Sequence, residues 1–262
     1  MEAYEAELER QLQQIVQEIE ACGLEQYKDA LLARRQPALK IHLELAEQLP
    51  VGSSKVGGMP DLPPDFSYPT LIEDYGDVPR GTPLTFLAQY RLQDLASFAF
   101  AREVLPSDGM LYFFGLGFQS GDVVLTDCGR VIYWRGDSAR LQPYAVSEGV
   151  NTYQQAKIHF EPIWSWGFHL LDESLPAECD EITDRYTSEP LHQALGIPTP
   201  IQPSDLMEDE EQLKQHVLLL QLDYVPKIGL NFGDAGTAYF LIPKKDLREC
   251  NFAHVWCEDA CC

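Results

Sequence analysis

The sequence predicts an α+β protein in which N-terminal helices precede an internally duplicated, mostly antiparallel two-sheet unit. Apolar residues recur at helical spacing before Pro37, whereas short apolar and alternating segments typical of strands follow it. Few helical segments separate these strands, which excludes a doubly wound α/β sheet. Two blocks of the chain also repeat the same motifs in the same order, which predicts two intertwined halves of one globular unit.

The first helix is predicted from apolar residues that recur every three or four positions and stop at Gly23. Glutamates occupy the other positions, and those in the first turns suit the positive end of the helix dipole. A second, short helix is predicted over residues 24–35, because Pro37 prevents its continuation. The apolar positions of the first helix are Leu8, Leu12, Ile15, Val16, Ile19 and Cys22.

From Pro37 onward the pattern predicts short strands, beginning with residues 39–45, where apolar and polar side chains alternate. The Gly- and Pro-rich residues 52–80 predict an ordered loop over the sheet, and Asp127-Cys128-Gly129 predicts a tight hairpin. Helices are expected over 92–102 and 205–215. The remaining strands are expected over 84–90, 110–114, 122–126, 130–134, 155–160, 217–223, 237–242 and 252–257.

The two blocks share three motifs, which we call the echoed motifs. They are a G-x-P turn, an apolar strand that ends in glutamine, and the pattern G-x-x-Y-F. Because the spacing between them differs only as loop lengths do, we expect one domain over 1–262, with a helical segment at 1–36, a first half at 37–160 and a second half at 161–262. The motifs lie at Gly58 and Gly196, at Gln89 and Gln221, and at Gly109 and Gly236.

Forty-one acidic and 19 basic residues give a formal charge of −22, which repels phosphate backbones and anionic lipid surfaces. We therefore expect no nucleic acid and no membrane among the partners, and a basic protein or peptide as the favoured one. Solubility alone is the alternative reason for the charge. Acid-rich residues 172–189 and 205–211 are predicted as solvated loops. The acidic N-terminus and the absence of a long apolar run predict a cytoplasmic protein.

The seven cysteines are odd in number and scattered, which is not the pattern of a secreted disulfide framework. Thiolate and imidazole are ligands that zinc prefers, but the C-terminal group contains no C-x-x-C pair, and we expect neither a metal nor a cofactor. The glycine-rich residues 115–121 lead into another predicted strand instead of a helix, so a nucleotide site is not expected there. The C-terminal group comprises Cys250, His254, Cys257, Cys261 and Cys262.

Six polar residues are the candidates for a binding site, and no residue is assigned a catalytic role. Gln89 and Gln221 end the two echoed strands, where they either face a shared cleft or bond to loop backbone, whereas Gln202 lies near the Gly-Pro turn. His192 lies beside a Gly-Pro turn, where it serves either as a base or as a hydrogen-bonding clamp for the turn. The aspartates form either a carboxylate pair or ordinary turns. The candidates are Gln89, His192, Gln202, Gln221, Asp223 and Asp234.

The ordered motifs resemble those of the YwqG-like family of bacterial proteins of unknown function. They are K-V-G-G-M-P-D-L-P at 55–63, L-T-F-L-A-Q at 84–89, H-Q-A-L-G-I-P at 192–198, L-L-L-Q-L-D at 218–223 and G-D-A-G-T-A-Y-F at 233–240. The resemblance covers the chain from about Leu39 onward and implies a duplicated, sheet-rich α+β fold without accepted catalytic residues. The family is distantly similar to the eukaryotic programmed-cell-death-protein-two group, whose members are dedicated chaperones for a ribosomal protein, and some bacterial members are linked to toxin and immunity gene neighbourhoods. This chain lacks the zinc-finger insertion of the eukaryotic relatives, which weakens transfer of their partner.

These observations predict a non-enzymatic protein- or peptide-binding module, of the dedicated-chaperone or toxin-neutralising type, that uses an acidic surface. One alternative is a hydrolase-type enzyme, which requires His192, Asp223 and Asp234 to converge in one pocket. A small-ligand sensor is the other alternative. The sequence leaves the oligomeric state open.

Overall fold

The computed structural model describes residues 3–118, 120–166, 175–176, 178–184, 192–204, 206–207 and 209–261. The chain begins with helix α1, Ala3–Ala21, which ends before Gly23 as predicted. A 3-10 turn at Glu25–Tyr27 and helix α2, Lys28–Ala33, follow it. The other helices are α3 (Leu92–Leu95), α4 (Ala99–Arg102), α5 (Glu178–Asp184), α6 (Glu210–Leu213) and α7 (Lys244–Arg248).

The strands of the described residues form two sheets in which the paired strands are antiparallel, which confirms the predicted α+β class. The larger sheet has eleven strands, in the order β13-β12-β11-β10-β1-β9-β2-β4-β5-β6, with β7 also paired to β5; the smaller sheet pairs β3 with β8. The strands are β1 (Gln36–Leu45), β2 (Lys55–Val56), β3 (Asp61–Leu62), β4 (Thr85–Arg91), β5 (Met110–Gly117), β6 (Val123–Val124), β7 (Arg130–Trp134), β8 (Gln142–Pro143), β9 (Ala156–Ser165), β10 (Gln193–Leu195), β11 (His216–Asp223), β12 (Thr237–Pro243) and β13 (Trp256–Ala260).

Several element predictions need correction. Residues 252–257 were predicted as a strand, but Phe252–His254 is a 3-10 turn, because the Asn251 side chain accepts the backbone N–H of Ala253. The helix predicted over 92–102 is two short helices, because Phe98 between them has an extended backbone. Of the helix predicted over 205–215, only α6 is helical; Asp205 and Glu208 lie outside the described residues. The acidic stretch predicted as loop at 172–189 contains α5, and most of its remainder also lies outside them.

Strands β1 and β9 form a ribbon in the middle of the larger sheet, paired from Gln36 opposite Ser165 to Leu45 opposite Ala156. Strand β1 lies at the start of the first half of the chain but pairs on its other side with β10 of the second half. Strand β9 lies at the start of the second half but pairs with β2 of the first. The strand with which each half begins therefore pairs with the other half, and the predicted boundary at 160/161 falls inside β9.

The larger sheet folds back on itself so that its two ends meet. Phe113 on β5 packs edge-on against Phe240 on β12 with ring centroids 5.1 Å apart. At the rim, the Asp259 carboxylate accepts the backbone N–H groups of Leu125, at 2.7 Å, and Thr126, at 3.0 Å. One cluster of buried apolar side chains therefore contains residues of both halves. No helix of the described residues combines the length and the hydropathy needed to cross a bilayer.

Candidate functional site

The two echoed glutamines are buried and bond to the loops that follow the G-x-P turns. Gln89 is 0% exposed and its Oε1 accepts the backbone N–H of Asp61 at 2.9 Å. Gln221 is 2% exposed and its Oε1 accepts the backbone N–H of Thr199 at 3.0 Å. Of the two roles considered for these amides, the structure shows the bonding to loop backbone. They hold the loops in place and do not line an accessible cleft.

The echoed tyrosines close the same two loops. The Tyr112 hydroxyl donates to the carbonyl of Asp61 at 2.7 Å, and the Tyr239 hydroxyl donates to the carbonyl of Thr199 at 2.8 Å. Each tyrosine also lies directly opposite the glutamine of its own half in the sheet. The echoed motifs thus make the same contacts in both halves, while duplication itself stays a prediction.

The loop of the first half contains a buried ion pair, and the equivalent positions of the second half are neutral. The Lys55 ammonium lies 2.9 Å from the Asp61 carboxylate, with side chains 5% and 3% exposed. The same carboxylate oxygen accepts the Gly52 N–H at 2.9 Å and the Gln89 amide at 2.7 Å. At the equivalent positions of the second half stand the neutral Gln193 and Thr199. The two halves therefore share a backbone arrangement and differ in its charge.

Directly before β2 in the first half and before β10 in the second, a buried side chain accepts a backbone N–H. In the second half, Nδ1 of His192 accepts the N–H of Asp223 at 3.1 Å. In the first half, Oγ of Ser54 accepts the N–H of Arg91 at 2.9 Å. An imidazole whose Nδ1 accepts carries its proton on Nε2 when it is neutral. His192 therefore has one N–H donor that the strand does not use.

Each of these side chains borders an open cavity beside the β1–β9 ribbon. The His192 cavity has a volume of about 390 Å³, and the Ser54 cavity has a volume of about 610 Å³. The two occupy equivalent places, because one is lined by β1 and the other by the corresponding part of β9. The His192 cavity is lined by Lys40, Ile41, His42, Leu43, His192, Tyr224, Val225, Pro226 and Lys227. The lining of the Ser54 cavity includes Ser54, Arg91, Asp94, Lys157, Ile158, His159 and Phe160.

The ribbon carries a further repeat that the sequence analysis missed. Residues 40–44 read K-I-H-L-E and residues 157–161 read K-I-H-F-E. In the structure His42 lies directly opposite His159. His42 pairs with Glu161, and His159 pairs with Glu44 at 2.9 Å. The signal was present in the sequence, but each segment was interpreted only as an apolar strand.

Burial lowers the pKa of His192 to about 4, and the nearby Lys40 and His42 lower it further in the same direction. The imidazole is therefore neutral at pH 7, which agrees with its acceptor role toward Asp223. His192, Lys40 and Lys227, together with His42 and Tyr224, are the residues with polar donors that line an otherwise largely apolar cavity. This arrangement suits an acceptor group on a ligand.

Replacing His192 with Asn should make stability less dependent on pH. The folded-state pKa of about 4 lies below the ordinary value of 6.5, so the unfolded chain binds the proton more readily between these values. The contribution of the neutral imidazole is complete above about pH 6.5 and is lost as the pH falls through 4, by about 3 kcal/mol in total. Urea unfolding at pH 7.5 and 4.5 measures the difference.

The matched control for this prediction is His159→Asn, which removes an exposed imidazole of the same ribbon. A change in pH dependence of the same size in both variants would show that it does not come from His192.

Of the remaining candidates, Asp223 contacts His192 through its backbone N–H. The Asp223 carboxylate accepts the Thr237 hydroxyl at 2.8 Å, and Asp234 is exposed in the turn before β12. Neither aspartate is among the residues that line the His192 cavity, and the hydrolase alternative, which requires all three side chains in one pocket, stays a prediction. Gln202 is also exposed, and its amide donates to the carbonyl of Cys261.

The C-terminal cysteines do not form a metal centre within the described residues. Across that part of the chain, no three His, Cys, Asp or Glu side chains are placed to hold an ion. Burial raises the pKa of the Cys257 thiol to about 12, so it is protonated at neutral pH. Cys262 lies outside the described residues.

Fold and site define an α+β protein whose folded-back antiparallel sheet carries two equivalent cavities beside a central ribbon. The chain belongs to the family described as Domain of unknown function (DUF1963), whose model matches residues 54–261. That match includes Ser54 and His192 but not β1. A comparison with curated proteins found no match.

Proposed function

We propose that this protein is a non-enzymatic binding module that holds a protein or peptide segment across the β1–β9 ribbon. The observation that carries the proposal is the pair of equivalent open cavities on the two sides of this ribbon. His42 lines one cavity, His159 lines the other, and the two residues lie directly opposite each other. An extended segment that crosses the ribbon at this point therefore contacts both cavities.

Apolar side chains in the cavities supply affinity in this proposal. Ile41 and Leu43 line the His192 cavity, and Ile158 and Phe160 line the Ser54 cavity. Tyr224 at the rim of the His192 cavity is 38% exposed although it is large and aromatic. Aromatic and apolar groups in pockets provide most of the binding energy of typical interfaces. The cavities thus suit alternate side chains of an extended segment.

The charge of the chain selects the partner in the same proposal. A formal charge of −22 attracts a basic protein and accelerates its encounter with this one. Exposed glutamates on α1, among them Glu5, Glu9 and Glu20, contribute to this field. The resemblance to the YwqG-like family adds support, because its distant relatives include dedicated chaperones. Chaperone and toxin-neutralising protein, both in the cytoplasm, are the two forms of this proposal.

Affinity capture from an extract of the source cells tests the proposal. Immobilised parent protein should recover a basic protein, and added salt should slow its association. The variant His42→Lys/His159→Lys places two ammonium groups between the cavities, which repel a basic segment, and should lose this protein. Both side chains are exposed, so the variant should fold as the parent does.

The control variant is Gln13→Lys/Gln17→Lys, which adds the same charge on the exposed face of α1. Equal recovery by the parent and the control, with loss from the ribbon variant, supports the proposal. Recovery of nothing at low salt, or equal recovery by all three proteins, contradicts it.

A further inference from the structure

The Ser54 cavity contains a carboxylate that belongs to the protein itself. The Ser54 hydroxyl donates to Oδ2 of Asp94 at 2.7 Å. The Arg91 guanidinium donates to Oδ1 of Asp94 through two nitrogens, at 2.8 and 2.6 Å. The Ser54 hydroxyl and the guanidinium of Arg91, at the end of β4, thus hold one carboxylate in this cavity.

The His192 cavity is lined by other donors, His192, Lys40 and Lys227, and no carboxylate is among its lining residues. His192 stands at the position of Ser54, as the shared backbone contact shows. Asp94 is the third residue after Arg91, and the third residue after Asp223, which is the counterpart of Arg91, is Pro226. A proline side chain cannot ionise or accept a hydrogen bond. The place that Asp94 fills in one half is therefore without an acid in the other.

The cations of the His192 cavity are not neutralised within the described part of the chain. Neither Lys40 nor Lys227 forms an ion pair there, whereas His42 is paired with Glu161. His192 is 7% exposed and lines the cavity, and its Nε2–H is not used by the strand. Two lysines without an ion-pair partner in this part of the chain and one buried histidine therefore line the same space.

We propose that the His192 cavity binds a carboxylate carried on an apolar group, namely the C-terminal residue of the partner segment. The inference rests on the proposed function. Nε2–H of His192 and the ammonium groups of Lys40 and Lys227 hold the carboxylate, as Ser54 and Arg91 hold Asp94. Leu43, Tyr224 and Pro226, which line the cavity and are not buried, contact the apolar side chain of the same residue. A cavity of about 390 Å³ lies within the range of ordinary ligand pockets.

The charge of the whole chain agrees with this assignment. At −22 the protein repels a segment that is acidic throughout, whereas a basic segment with one terminal carboxylate is attracted as a whole. The local cations then select the carboxylate at short range, where a hydrogen bond between charged groups is strongest. The partner is therefore a basic segment that ends in an apolar residue.

The test uses two probes that differ only in the carboxylate, which is an amide in the second probe. N-acetylleucine has the free carboxylate of a chain end, and N-acetylleucinamide has an amide in its place. Each is titrated into the full chain while the imidazole signals of His192 are followed by NMR and assigned with the His192→Asn variant. N-acetylleucine should shift these signals and bind at least about tenfold more tightly than the amide, because the charged hydrogen bonds are lost in the amide.

Two variants locate the site. Lys40→Gln/Lys227→Gln should weaken the binding of N-acetylleucine by about tenfold or more, since both lysines reach solvent and neither supports the core. Lys157→Gln in the Ser54 cavity is the matched control and should leave the binding unchanged. Equal binding of both probes, or the same affinity after loss of Lys40 and Lys227, overturns the inference.

A third probe, 4-methylpentanoate, has the carboxylate and the apolar group without the peptide unit. Weaker binding than that of N-acetylleucine supports the chain end as the source of the carboxylate, and equal binding overturns it in favour of free acids. Capture of a partner on the ribbon together with no preference for the carboxylate probe overturns this inference alone. Loss of capture with a retained carboxylate preference contradicts only the proposed function.

Discussion

Replacing either partner of the buried Lys55–Asp61 ion pair should lower the free energy of unfolding by about 3–5 kcal/mol. Both side chains are almost fully buried, so each single replacement leaves an uncompensated charge in the interior. Lys55→Gln leaves the carboxylate with only the Gly52 N–H and the Gln89 amide as donors. Asp61→Thr leaves the ammonium without a counter-charge.

The double variant Lys55→Gln/Asp61→Thr should lie within about 2 kcal/mol of the parent. It installs the pair of residues that the second half already has at these places, Gln193 and Thr199. Because both charges are removed together, no uncompensated charge stays behind. The remaining cost comes from polar atoms such as Oε1 of Gln193, which is buried without a partner in the second half.

Chemical denaturation of the parent, the two single variants and the double variant measures the coupling between the two sites. A favourable coupling of about 3 kcal/mol or more is expected, far above the value for an exposed pair. Single variants that lose no more stability than the double variant would show that the charges are not coupled. In that case the carboxylate would be satisfied by its two other donors alone.

The sequence predicted the architecture better than the site, for a physical reason. Helical spacing ending at Gly23 gave α1, and alternation gave β1, because burial of one face leaves a periodic pattern along the chain. The exchange of β1 and β9 between the halves leaves no such pattern. It depends on pairing between strands far apart in the chain, here Ala38 with Leu195 and Lys55 with Lys157.

The candidate residues illustrate the same limit. Gln89 was selected as the polar end of an apolar strand and His192 as a polar residue beside a Gly-Pro turn. Both are buried, but a pattern does not tell which atom each side chain bonds to. Gln89 holds a loop, whereas His192 borders a cavity. Asp94 was not among the candidate residues, because its role in the cavity is recognised only when the structure aligns it with Pro226 of the second half. The repeat at 40–44 and 157–161 was the one missed signal that the sequence itself contained.

Truncating Phe113 or Phe240 to Ala should lower the free energy of unfolding by about 3–5 kcal/mol. Both rings are fully buried, and they meet edge to face where the two ends of the larger sheet come together. Each truncation removes apolar surface from the core and leaves a cavity that a folded-back sheet cannot close easily. The effect should appear as one cooperative transition, because the rings join the two halves.

Phe114→Ala is the matched control, since this ring is equally buried but packs within the first half against Tyr68 and Phe86. Phe113→Ala and Phe240→Ala should couple by about 0.5–1.5 kcal/mol, whereas Phe114→Ala and Phe240→Ala should be additive within about 0.5 kcal/mol. Additivity in both pairs, or two separate unfolding transitions in the parent, would show that the halves are stable independently of each other. Coupling in the first pair alone would instead show that neither half completes its core without the other, as the exchanged strands β1 and β9 require.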